Sequence, residues 1–191
     1  MNVLSNRQQI QLGLLLATLM VITRSQHFAS LHHLPEASWA VFLLAGIYLR
    51  PLWVFPALCG AAAATDWLAI GVGGESAFCV TPAYTMLVPA YAALWLAGRW
   101  YAKRHEDRPA TLVTLAGAVL VSALAAELIS SGGFYFLGGR FAETSLAEFA
   151  TRLVQYFPSS LGALTLYVGV AALIHAVVSA RVAPGAAPAR K

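Results

Sequence analysis

The sequence predicts an all-α membrane protein of six transmembrane helices, and three observations lead there. Charged residues make up 10% of the 191 positions and hydrophobic residues 59%. A water-facing domain carries roughly 25% charged residues, because most of its surface must be hydrated; the solvent for most of this chain is therefore lipid. The mean hydropathy is +0.70. Apolar runs recur near the ~20-residue length that a spanning helix needs, separated by short polar connections. Six such runs use nearly the whole chain. They leave a single domain over residues 1–181 and a tail, 182–191, whose Ala, Pro, Gly and basic composition reads as disordered.

Span 1 runs over Gln8 to Thr23. Arg7 followed by Ile10 to Ile22 has the outline of a signal peptide, but the polar Thr23-Arg24-Ser25-Gln26-His27 offers no small-residue cleavage site. Span 2 covers Glu36 to Leu49, with Pro35 and Glu36 suited to a first helical turn. Arg50-Pro51 forms a tight connection, since the residue before proline resists helix. Span 3 runs from Leu52 to Ile70 and ends at Gly71-Val72-Gly73-Gly74. Span 4 covers Ala83 to Tyr101, behind Pro82. After the charged stretch from Lys103 to Arg108, span 5 runs from Ala110 to Ser131. Gly132-Gly133 and Gly138-Gly139 then bracket an aromatic patch, Phe134-Tyr135-Phe136, read as loop. Span 6 covers Ala150 to Ala180, broken or bent at Pro158.

Six spans put both termini on one side, and the basic residues choose the side. Arg7, Arg50, Arg99, Lys103, Arg104, Arg108, Arg181, Arg190 and Lys191 fall on the side of the termini, against Arg24, Arg140 and Arg152 on the other. Both termini are therefore expected to be cytoplasmic. The net charge of +4 is accounted for by these loop clusters, so no nucleic-acid partner is expected. The outer loops, Arg24–Pro35, Gly71–Pro82 and Gly132–Phe149, are the longer ones and hold His27, His32, His33, Glu75, Cys79, Arg140, Glu143 and Glu148.

Several residues could carry chemistry. Cys79 lies between a glycine run and a proline-started helix; a thiolate there is favoured by the helix dipole and is a soft metal ligand, although a small apolar filler also fits. The histidines at 27, 32 and 33 match no zinc spacing. Asp66 and Glu127 sit inside apolar runs, where an ionisable group is costly and by default functional, or else caps a helix near the interface. Tyr84, Tyr91, Arg152 and Tyr156 fall near the outer end of the bundle, where tyrosines also serve as interfacial anchors and an Arg fork can take a carboxylate, phosphate or amide. Gly13 and Ala17 form a small-xxx-small pair that serves packing or a partner's helix. Cys59 and Cys79 are too few for a disulfide framework. The sequence contains no GxxxxGK[ST], HExxH or GxSxG. Loops converging on one face without a nucleotide site point to a small-molecule pocket.

Four stretches carry a family resemblance: Thr23-Arg24-Ser25-Gln26-His27, the run from Pro35-Glu36-Ala37-Ser38-Trp39 to Gly46, Thr65-Asp66-Trp67, and Phe78-Cys79-Val80-Thr81-Pro82-Ala83-Tyr84. With them, and in its size and loop pattern, the chain resembles the BtuM-type cobalamin importers of bacterial inner membranes, related in fold to the S-components of energy-coupling factor transporters. The resemblance implies an S-component-like bundle that binds cobalamin or a related corrinoid from the periplasmic side and takes it up. It implies Cys79 as the cobalt ligand, with His27, Asp66, Tyr84 and Arg152 around the corrin and its amides. It also implies that the Gly13/Ala17 face meets an energising module, although family members occur without one. A thiolate on cobalt would further be expected to displace an upper ligand such as cyanide. Rival expectations are a carrier for another vitamin or for cobalt or nickel ions using the loop histidines, an intramembrane thiol enzyme pairing Cys79 with His27 or Asp66, and a structural membrane protein without a ligand.

Overall fold

The computed structural model describes residues 4–24, 34–72, 77, 80–106, 108 and 110–182. Over these the chain is all-α. Six helices follow one another: α1 (Asn6–Arg24), α2 (Ser38–Tyr48), α3 (Val54–Gly71), α4 (Leu87–Ala102), α5 (Thr111–Leu137) and α6 (Leu146–Val182), with a short 3-10 segment, Pro82–Met86, leading into α4. Three of them, α3, α5 and α6, are long and apolar enough to cross a membrane.

The bundle is built around α2. Its sequence is apolar on every side, and a helix of that kind must be surrounded. All but two of its residues are buried, against α1, α3, α4 and α6. The outer helices carry the reverse pattern. Ile10, Leu14 and Leu15 on α1, Leu112 and Val113 on α5, and Leu173, Ile174 and Val178 on α6 face outward. Large exposed apolar belts on several helices are what a lipid-facing surface requires.

The α2–α4 crossing is close because two glycines meet there. A Cβ at Gly46 would run into the backbone of Trp95, and one at Gly98 into the carbonyl of Leu43. Small residues at a crossing let backbones approach, which replaces the hydrophobic drive that lipid cannot supply. Above the crossing, Phe42 stacks on Tyr91 with ring centroids 4.2 Å apart and planes 10° apart.

Successive helices run in opposite directions, so each end of the bundle gathers particular side chains. At one end the Arg50 amide donates to Gln9 near the start of α1, Arg99 donates to the carbonyls of Leu49 and Arg50, and the His105 ring, hydrogen-bonded to the Tyr101 hydroxyl, meets His175 of α6. The first turns of α1 and the last turns of α6 therefore lie at the same end. Arg24, Asp66 and the start of α4 lie at the other.

Four of the spans differ from expectation. Helix α5 does not stop at Ser131: Gly132, Gly133 and the aromatic patch Phe134-Tyr135-Phe136 continue it to Leu137. The glycines are there for contact, since a Cβ at Gly133 would collide with the Met86 side chain. Helix α6 begins at Leu146 and runs through Pro158 unbroken. Span 4 does not begin as α-helix at Ala83; residues 82–86 form the 3-10 segment first. Helix α2 is also shorter than its predicted span, at 11 residues. The tail from 183 onward lies outside the described residues.

Candidate functional site

The end of the bundle that gathers Arg24 and Asp66 holds a polar cluster under an aromatic wall. Arg24 is the last residue of α1, where a cation suits the helix dipole. Its guanidinium forks onto Asp66 of α3, Nε to Oδ1 at 2.5 Å and Nη2 to Oδ2 at 2.7 Å. Nη1 turns toward three further oxygens: Glu36 Oε1 at 2.8 Å, Ser38 Oγ at 2.9 Å and the Tyr91 hydroxyl at 2.7 Å. One side chain thereby joins α1 to α3, to the start of α2 and to α4. The planar fork, with its five donors, makes this possible where a lysine would supply a single point charge.

Asp66 has a second donor. The Tyr84 hydroxyl, carried by the 3-10 segment, donates to Oδ2 at 2.7 Å.

A second cluster sits on the start of α6. Arg152 donates from Nε and Nη2 to Glu148 Oε1, at 3.1 and 2.9 Å, and its guanidinium lies 4.6 Å from the ring centre of Phe141. The Tyr135 hydroxyl donates to Glu148 Oε2 and accepts from the Ser145 amide, both at 3.0 Å. Tyr135 also packs on Phe141 and Phe149, so the aromatic patch read as loop is the rigid wall of a helix.

Between the two clusters lies a cavity of about 560 Å³. Its lining includes Arg24, Asp66 and Tyr84 on one side, Arg152, Tyr156 and the aromatic wall on the other, and Glu127, Ser130 and Ser131 of α5. The Ser131 hydroxyl donates to Glu127. A volume of this order is that of a drug-sized ligand, and a mostly apolar wall with a few convergent polar groups is the usual composition of such a site.

Of the residues singled out in the sequence, Asp66, Tyr84 and Arg152 come together on this cavity, as do Glu127 and Tyr156. Tyr91 reaches the Arg24 cluster from α4. Cys79, His27, His32, His33 and Glu75 lie outside the described residues. Among the described residues no three His, Cys, Asp or Glu side chains are grouped to hold a metal ion. Gly13 and Ala17 line a different hollow, a groove of about 500 Å³ shared with Ala57 and Ala61 of α3.

The sequence reading missed the role of Arg24, which it counted only as an outer basic residue. A signal for it was present, since a carboxylate inside an apolar run calls for a polar partner, and a basic residue at another helix end can supply one. Sequence alone does not say which. Fold and site together define an all-α protein with three helices able to cross a membrane and a polar, aromatic-walled cavity at one end. No model of a known protein family matches the chain, and a search of curated proteins finds no match.

Proposed function

We propose that this chain is a six-span protein of the bacterial inner membrane, with both termini cytoplasmic, that binds cobalamin or a related corrinoid from the periplasmic side and mediates its uptake. The observation that carries the reading is the cavity wall. Asp66, Tyr84 and Arg152 lie on three separate elements, yet all three line one cavity.

A corrin is a broad, flat, largely apolar ring with a rim of amides. Phe134, Phe141 and Phe149 offer it apolar ring surface, while Asp66, Tyr84 and Arg152 offer charges and hydrogen-bond groups for the rim. The cavity is smaller than a whole cobalamin, so the ligand would insert one part of itself and leave the remainder beyond the described wall. Cys79 stands five residues before Tyr84 in the sequence and is the proposed axial ligand of cobalt, a metal that thiolates bind well.

Six spans are supported by the helix lengths taken with their surroundings. Helix α1 has 19 residues, and the 3-10 segment lengthens α4. Helix α2 would rise only about 16 Å, but it is sheathed by its neighbours and need not face lipid over a full bilayer. The groove at Gly13 and Ala17, flanked by the exposed Ile10, Leu14 and Trp53, is the proposed seat of a membrane partner such as an energising module.

The test is an absorption spectrum of purified protein incubated with cobalamin and desalted, beside Cys79→Ala. Retained corrinoid with a spectrum that shifts in the native protein but not in the variant is the expected result. Corrinoid retained with identical spectra would remove the thiolate from the proposal, and no retained corrinoid would overturn it.

A further inference from the structure

Among the charged residues lining the cavity, Glu127 is the one that the two arginine clusters do not use. It lies inside α5, on a helix long and apolar enough to cross a membrane, and is 3% exposed. The other charged groups on the cavity are paired. Arg24 is engaged by Asp66 and Glu36, and Arg152 by Glu148. Among the described residues no cation pairs with Glu127. Its partner is the Ser131 hydroxyl, one turn on.

A carboxylate has about four lone-pair sites, and one serine hydroxyl fills one of them. A buried carboxylate in low dielectric calls for further donors, because leaving its sites empty is costly. The cavity is the open side of this group, since Glu127, Ser130 and Ser131 form one strip of its lining. What enters the cavity therefore meets unfilled acceptor sites, which N–H groups satisfy and a second carboxylate, itself an acceptor, does not.

We infer that Glu127 sets the charge preference of this cavity, accepting amide N–H groups from the rim of the ligand and turning away rims that carry carboxylates. The inference rests on the corrinoid reading above. It adds a selection step on the rim, independent of the cobalt and its axial ligand.

The experiment compares binding of cyanocobalamin with that of the carboxylate derivative made by hydrolysing its peripheral propionamides, both measured by absorbance retained on purified, monodisperse protein. The native protein is expected to hold the amide form at least ~10-fold more tightly, the scale of one hydrogen bond to a charged group. Glu127→Gln keeps the shape and removes the charge, and is expected to narrow that ratio by ~10-fold. An unchanged ratio in Glu127→Gln overturns the inference while leaving the corrinoid reading in place. Failure of the native protein to retain either corrinoid overturns both. If Glu127→Gln does not fold, Glu127→Asp keeps the charge on a shorter arm; it is expected to retain the preference, and its loss there overturns the inference.

Discussion

Arg24 and Asp66, 42 residues apart in the sequence, meet through two parallel hydrogen bonds of 2.5 and 2.7 Å. Both side chains are largely buried, at 12% and 22% exposure. Removing one partner from such a pair leaves an uncompensated charge in low dielectric, which costs more than the pair itself contributes. Arg24→Ala is therefore expected to lower stability by about 3 kcal/mol, measured as the midpoint of SDS-induced unfolding in mixed micelles. Arg24→Lys should fall between, because it keeps the charge and loses the fork. The double variant Arg24→Ala/Asp66→Ala should be less damaged than the sum of the singles, by roughly 1–3 kcal/mol. Additive losses would mean that the two residues act separately.

The α2–α4 crossing gives a steric prediction. A methyl group at Gly46 or Gly98 meets backbone, which cannot swing aside as a side chain can. Gly98→Ala should cost about 2 kcal/mol by the same unfolding assay. Gly60→Ala, where nothing lies within 4 Å, is the control. It should be neutral or stabilising by up to about 1 kcal/mol, as alanine is the better helix former. Equal effects at the two sites would contradict the close crossing.

These contrasts show what was legible in the sequence and what was not. The helices at 6–24, 54–71 and 87–102 follow from apolar runs and their punctuation. The extension of α5 through Gly132 and Gly133 does not. Paired glycines ordinarily disfavour helix, and the reason they persist, contact between Gly133 and Met86, is a tertiary fact. Pro158 lies inside α6 without breaking it, because a helix can absorb one missing N–H. In the site, Asp66 and Glu127 were visible as ionisable residues inside apolar runs, and Tyr84 and Arg152 as residues near the outer end of the bundle. Arg24 was hidden because a basic residue at the end of a span also satisfies a topology rule. The long-range pairing that gives it a second meaning has no local signature.

On the far wall, binding and stability should separate. Arg152 and Glu148 are both more than one-third exposed, so their ion pair is screened by solvent. Arg152→Gln should leave the unfolding midpoint unchanged while weakening retention of cobalamin about 10-fold or more, the scale of a lost charge-assisted hydrogen bond. Tyr156→Ala, at an exposed position on the same cavity, should behave similarly. A drop in stability without a change in retention would assign Arg152 to the fold instead.

Substitution in the groove at Gly13 tests the proposed partner binding apart from ligand binding. A Cβ at Gly13 meets only the tip of Leu49, 3.6 Å away, so a larger side chain there fills the groove and spares the core. Gly13→Leu is expected to bind cobalamin like the native protein after purification. In cells that depend on this chain for cobalamin, it is expected to take up little. Native uptake by Gly13→Leu would mean that no partner helix sits in that groove.

The last prediction concerns chemistry at cobalt. If Cys79 is the proposed axial ligand, its thiolate would form a Co–S bond with cyanocobalamin as the Co–C bond breaks. Cyanide would leave with its electron pair and take up the proton that the thiol gave, so cobalt would keep its oxidation state. The thiolate is the reactive form, and an ordinary cysteine ionises near a pKa of about 8.5. Cyanide release should therefore be slow in acid and rise with pH through the range in which the thiol ionises. Free cyanide measured over protein and cyanocobalamin at a series of pH values checks this, with Cys79→Ser as the control. Release by the native protein alone, rising with pH, supports ligation by the thiolate. Release that is equal in Cys79→Ser, or independent of pH, would assign the displacement to another group.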